Sequence, residues 1–132
     1  MSLSEKEARE ENAELIKDFV LWLENKPLSK KTIEKYASNI DFYINEYLIY
    51  DGEEIERAKD GYHGGTIDVF FDYWFPKKAL WASKASTKEN ITSLKKFYSF
   101  MLETNSITSE NYNELLETFK DYKFNWLDNM DE

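Results

Sequence analysis

The chain has 132 residues, enough for one domain that buries roughly two thirds of its unfolded surface, with nine Phe, nine Tyr and four Trp to fill a core. It has no cysteine, which excludes disulfides and thiolate metal sites, and a single histidine, His63, so a zinc site would rest almost wholly on carboxylates. A formal net charge of -9 argues against a surface coated in positive charge. With no run of 18 apolar residues and an acidic N-terminus, neither a membrane span nor a secretory signal is expected, and the chain reads as cytoplasmic.

Residues 1–11 read as an acidic lead-in, and beyond them apolar spacing is helical almost throughout. From Asn12 to Asn25, Ile16, Phe19, Val20 and Leu23 recur at helical intervals, Leu15 and Trp22 widen the stripe, and Pro27 interrupts it. Ser29 stands where an N-cap belongs. Ile33, Tyr36, Ala37, Ile40, Tyr43, Ile44, Tyr47 and Leu48 then predict a second helix over about 30–50, the clearest period in the chain. The polar stretch 51–65 holds all four glycines and reads as a loop with a short helical turn.

Thr66 can cap a third helix in which Ile67, Phe70, Phe71 and Trp74 face inward and which Pro76 ends or kinks. Ser86 with Glu89 three residues later has capping-box form, and the fourth helix it announces buries Ile91, Leu94, Phe97, Tyr98, Met101 and Leu102. A fifth, after "TNSITSEN", uses Tyr112, Leu115, Leu116, Phe119, Trp126 and Met130. The expected architecture is all-α, a compact bundle of four to five helices forming a single domain over residues 12–132.

Charge is unevenly placed. Residues 26–40 and 77–96 together hold ten bases and two acids, while the rest of the chain holds seven bases and 24 acids. In the second helix Lys31, Lys35, Ser38 and Phe42 follow one another at spacings of four, three and four, away from the apolar stripe, and in the fourth Lys88, Thr92, Lys95 and Ser99 repeat that spacing with Lys96 beside them. Lysines interleaved with small hydroxyl residues suit a phosphate-facing helix, where ammonium groups displace counterions and Ser or Thr donates short hydrogen bonds. The plain alternative is a solvated face, since lysine favours both helix and water.

These residues resemble a known family. "LSKKTIEKYASNIDFYINEYL" (28–48) is similar to the second helix of the N-terminal core-binding domain of tyrosine recombinases, the phage integrases, with Ser29, Thr32, Tyr36 and Ile40 matching in order. "STKENITSLKKFYSFMLETNSI" (86–107) is similar to that domain's fourth helix through Ser93, Leu94, Lys95, Lys96, Phe97, Tyr98, Ser99, Phe100 and Met101, so the resemblance spans about residues 12–107. It implies a SAM-like four-helix fold that clamps duplex DNA with its second and fourth helices. By position it implies DNA contacts from Lys31, Lys35, Ser38 and Asn39, and from Lys88, Thr92, Lys95 and Lys96, to which the lysine-rich windows add Lys30 and Lys84. The partners it implies are double-stranded DNA, a C-terminal catalytic domain and other recombinase protomers. The chain has Ala37 and Ser38 where family members often carry bases after the motif tyrosine.

No enzyme is expected here. Recombinase chemistry needs a tyrosine nucleophile with arginine and histidine groups on the phosphate, and in that family these sit in a separate domain; this chain holds two arginines, Arg9 and Arg57, and one histidine. No P-loop, GxSxG elbow, HExxH or dinucleotide fingerprint is present, and neither a cofactor nor a metal is expected. The alternative reading is a stand-alone acidic helical module that binds a basic protein partner through segments such as "EKEAREENAE" and "LDNMDE".

Overall fold

The computed structural model describes residues 3–130 and places them in five helices, with no strand among the described residues. The first two residues of the acidic lead-in and the last two of "LDNMDE" lie outside the described residues. The chain separates into two compact units, Met1–Gly61 and Tyr62–Glu132.

In the first unit, α1 spans Glu5–Glu24, so most of the lead-in is helix. The cause is local: Ser4 Oγ accepts from the Glu7 N–H at 3.1 Å while the Glu7 carboxylate accepts from the Ser4 N–H at 3.0 Å, and Glu5 and Glu7 complement the helix dipole. Helix α2 covers residues 30–50 as an α-helical part, Lys30–Asp41, a π-helical stretch, Phe42–Tyr47, and a last α-turn, Leu48–Tyr50. Ser29 caps it as expected, accepting from the Thr32 N–H at 3.1 Å.

Helix α1 packs along α2 and its π stretch. There the Leu48 N–H reaches back to the Tyr43 carbonyl, one residue further than in an α-helix, and the Ile44 carbonyl accepts from Asn12 Nδ2 of α1 at 3.2 Å. Asn12 also donates to Asn45 Oδ1 at 2.8 Å, so a polar residue only 3% exposed fastens the two helices. The loop that follows carries the expected short turn, a 3₁₀ segment at Ala58–Asp60, and is held by the Tyr43 hydroxyl donating to the Gly61 carbonyl at 2.7 Å.

In the second unit, α3 covers residues 64–78 as Gly64–Val69, a π stretch Phe70–Trp74, and Phe75–Lys78. It begins ahead of Thr66, with His63 at the N-cap position, because the Glu114 carboxylate of the last helix takes up the Gly64 N–H at 3.0 Å. Pro76 does not end it; the π stretch just before absorbs the missing donor and the helix runs on to Lys78. Helix α4 spans Lys84–Glu103, one turn longer than the Ser86–Glu89 pattern indicates. Ser83 is the cap: its Oγ accepts from the Ser86 N–H at 3.1 Å, and Ser86 Oγ accepts from the Ser83 N–H at 2.8 Å.

Helix α4 closes at Asn105, whose φ of 61° is left-handed, with the Ser106 N–H on the Met101 carbonyl and the Asn105 N–H on the Leu102 carbonyl. Helix α5, Ser109–Asn129, starts from a reciprocal Thr108–Asn111 cap. It packs on α3 and α4, with Trp126 stacked on Phe71 at 4.7 Å and its indole N–H donating to Asp68 Oδ1 at 2.8 Å. Of the apolar residues expected inside, Ile40, Ile67, Phe70, Leu94, Phe97, Leu115 and Trp126 are essentially fully buried, while Tyr112 and Leu116 sit half-buried.

Candidate nucleic-acid interface

Helix propensity and solvation explain most exposed lysines, so their positions relative to the helix ends carry more information than their number. Lys30 and Lys31 occupy the first two positions of α2, and Lys84 the first of α4; neither helix has an acid in its first turn. By contrast α1 opens with Glu5 and Glu7, and α5 has Glu110 there. A cation beside unpaired N–H groups opposes the helix dipole, and the like-charged pairs Lys31–Lys35 and Lys84–Lys88, each four apart, add to the cost. Local helix stability therefore does not account for these lysines.

Along α4, Lys84, Lys88, Thr92 and Lys95 are exposed and Lys96 half-exposed, a ridge about 16 Å long at 1.5 Å per residue. Among the described residues, Lys84, Lys88, Lys95 and Lys96 have no carboxylate within 4 Å. Lys95 Nζ lies 5.7 Å from the Phe119 ring centre. The hydroxyls serve the helix itself: Thr92 donates to the Lys88 carbonyl at 3.2 Å, and Ser99 bonds Tyr112 of α5. Burial outweighs that bond and pushes the Tyr112 phenol up from its ordinary value. Thr92 thus retains acceptor capacity but no spare proton, so the donors this ridge presents are its lysines.

On α2, Lys31, Lys35 and Ser38 are exposed and Asn39 is half-buried. Lys30 is exposed but shares an open depression of about 420 Å³ with Glu24 and Glu34, whose charges offset its own. The nearby Lys26 is turned onto the Trp22 ring, 4.1 Å from its centre. Ridge residues on α2 belong to the first unit and those on α4 to the second, so each ridge is a separate assembly of neighbours on one helix.

Elsewhere the titratable groups serve the fold. The Tyr50 hydroxyl donates to Glu5 at 2.9 Å and accepts from Arg9, and together with the Arg9 guanidinium it holds the Glu5 carboxyl below its ordinary range. His63 Nδ1 lies 3.5 Å from the Glu114 oxygen that also caps α3, an exposed pair worth little. Among the described residues no cluster of His, Asp and Glu could hold a metal ion, and no helix is long and apolar enough to cross a membrane.

One feature escaped the sequence reading. Between α3 and α4 the Ala82 N–H returns to the Ala79 carbonyl at 3.2 Å, and the two residues at the apex of that turn are Leu80 and Trp81, 101% and 54% exposed. Periodicity has nothing to say about a turn; the available signal was two large apolar residues between Lys77-Lys78 and Lys84. No family model, curated protein or solved structure matches the chain.

Proposed function

We propose that the chain is a DNA-binding module without catalytic residues of its own, of the kind represented by the core-binding domain of tyrosine recombinases. It grips the duplex backbone through Lys31 and Lys35 on α2 and Lys84, Lys88, Lys95 and Lys96 on α4. The observation that carries this reading is the α4 ridge: four lysines without carboxylate partners among the described residues, one of them at a helix start where a cation costs stability, in a chain of net charge -9. A ligand that repays this arrangement is polyanionic and linear, and duplex DNA meets both conditions.

Fluorescence anisotropy with a random-sequence duplex at low salt tests it. Six neutralised phosphates, one for each lysine, give a log–log salt slope of about -5.4. Lys95→Glu/Lys96→Glu abolishes binding with helicity unchanged by circular dichroism, and Lys31→Glu/Lys35→Glu weakens it. Parent-like binding by the first variant refutes the assigned surface. A second reading, a helical protein-interaction module, draws on the exposed Val69 and Tyr73 of α3 and Tyr122 and Phe124 of α5. Absence of any DNA retardation at high micromolar protein selects that reading instead.

A further inference from the structure

The central positions of a tight turn usually go to Gly, Pro, Asn, Asp or Ser, which satisfy backbone geometry and face water without cost. Here they are Leu80, wholly exposed, and Trp81, half exposed. The turn is not loose. Its own Ala82–Ala79 hydrogen bond closes it, Ser86 Oγ donates to the Trp81 carbonyl at 3.1 Å, and the Ser83–Ser86 cap fixes the start of α4 beside it. The Trp81 indole is steadied edge-on against the buried Phe75 ring, 6.5 Å between centres at 77°, and keeps about half of its surface exposed.

The charge around this apex has one sign. Residues 77–88 contain four lysines and no acid. Lys77 leans over the Tyr73 ring at 5.2 Å, Lys78 is exposed, and Lys84 and Lys88 begin the α4 ridge. Among the described residues none of the four has a carboxylate within 4 Å. A rigid aromatic and an aliphatic side chain, ringed by cations and placed at one end of a lysine ridge, match a base that has left its stack beside its own phosphates.

We propose that Leu80 and Trp81 form a wedge that stacks on an unpaired or unstacked nucleobase, so that the module prefers DNA with a gap or bulge over a continuous duplex. This deepens the DNA reading above and rests on it: the α4 ridge holds the backbone and the turn reads the discontinuity. An anionic lipid surface would accept the same Leu–Trp–Lys chemistry. It presents its charge as a plane, however, whereas a strand follows a narrow line of cations. The length of the ridge, running back from the turn along α4, favours the strand.

The test is anisotropy on the full chain at fixed low salt with three probes: an intact duplex, the same duplex with a two-nucleotide gap, and vesicles containing anionic lipid. The parent is expected to bind the gapped duplex roughly 5- to 160-fold more tightly than the intact one, the range given by stacking one base on an aromatic side chain. Trp81→Ala removes that preference while changing intact-duplex affinity less than twofold. Leu80→Ser, at a position with no packing to lose, reduces the preference and guards against a folding defect in the first variant. Lys95→Glu/Lys96→Glu abolishes binding of both DNA probes. Equal parent affinity for the two duplexes, or a preference that survives both turn substitutions, overturns the wedge and leaves the DNA reading standing. Vesicle binding that depends on Trp81, without a preference for the gap, overturns it in favour of lipid. Failure of the parent to bind any DNA removes both readings together.

Discussion

Replacing Lys84 by Glu separates the two explanations of the α4 ridge, because stability and binding move in opposite directions. Lys84 occupies the first position of α4, behind the Ser83 cap, in a first turn without an acid. Removing a cation there and supplying an anion is worth about 0.3–1 kcal/mol for each half of the exchange, and an exposed site takes the lower end, about 0.6–1 kcal/mol together. The repulsive Lys84–Lys88 pair becomes an attractive one with the acid N-terminal to the base, which adds about 0.5 kcal/mol. The variant is therefore more stable by about 1–1.5 kcal/mol. At about 2.1 cal/mol/K per residue, each kcal/mol raises Tm by roughly 4 °C if the chain melts as one, and by nearer 7 °C if the second unit melts alone. Urea or thermal denaturation followed by circular dichroism reads the gain. On DNA the same change lowers affinity and flattens the salt slope by about one, the loss of one phosphate contact. A stabilised variant that binds duplex with the parent's affinity and slope shows that Lys84 is merely solvated, and the functional reading of the ridge fails. No gain in stability refutes the electrostatic reasoning itself.

Asn12→Ala leaves the Ile44 carbonyl and Asn45 Oδ1 without their buried donor, so it destabilises the first unit by about 2 kcal/mol in chemical denaturation, more than an exposed Asn would cost. Trp126→Phe keeps most of the packing on Phe71 but strands the Asp68 carboxylate, costing about 2 kcal/mol; Trp126→Phe/Asp68→Ala recovers part of that loss if the hydrogen bond is the cause. For Glu5 the sign follows from a folded-state pKa that is lowered, first by the Tyr50 hydroxyl and then by Arg9. Its contribution is fully present above the ordinary carboxylate range and is lost as pH falls through the lowered value. Tyr50→Phe therefore shrinks the drop in Tm between neutral and acidic pH, and a pH profile identical to the parent's would sink that assignment.

Legibility along the chain followed the range of the interactions. The α2 and α4 stripes could be read because Ile33, Ile40, Ile44, Leu94, Phe97 and Met101 are buried by period alone. The start of α1 could not, because between Glu5 and Asn12 only Ala8 is apolar and the decisive core residue, Asn12, is polar. Its role depends on a carbonyl in the π stretch of α2, 32 residues away. The start of α3 was hidden for the same reason: its capping carboxylate, Glu114, lies 50 residues from Gly64. At α4, Ser83 and Ser86 are both plausible caps in one dimension, and the closed turn at Ala79–Ala82 delivers the chain to Ser83. Which lysines face water was legible, since their heads stay hydrated wherever the stem packs. What the interleaved hydroxyls do was not, because Thr92 and Ser99 turn to a carbonyl and to Tyr112 only once the helices exist.

The acidic remainder of the chain bears on how such a module would act. Outside residues 26–40 and 77–96 the chain holds seven bases and 24 acids, which on balance repel a polyanion over a screening distance of about 8 Å at physiological salt. Orientation on the duplex would then be enforced by repulsion as much as by contact, and nonspecific affinity would stay low, since each added acid removes part of what the ridges gain. The consequence is measurable. Neutralising acids outside both lysine windows, for example Glu10→Gln/Glu14→Gln on exposed positions of α1, should strengthen duplex binding at low salt without changing the number of phosphates neutralised. The effect should fade by about 0.5 M salt, where screening reaches only a few ångström. A strengthening that persists at high salt would mean that α1 touches the DNA directly, and the division of the surface into gripping ridges and a repelling remainder would have to be redrawn.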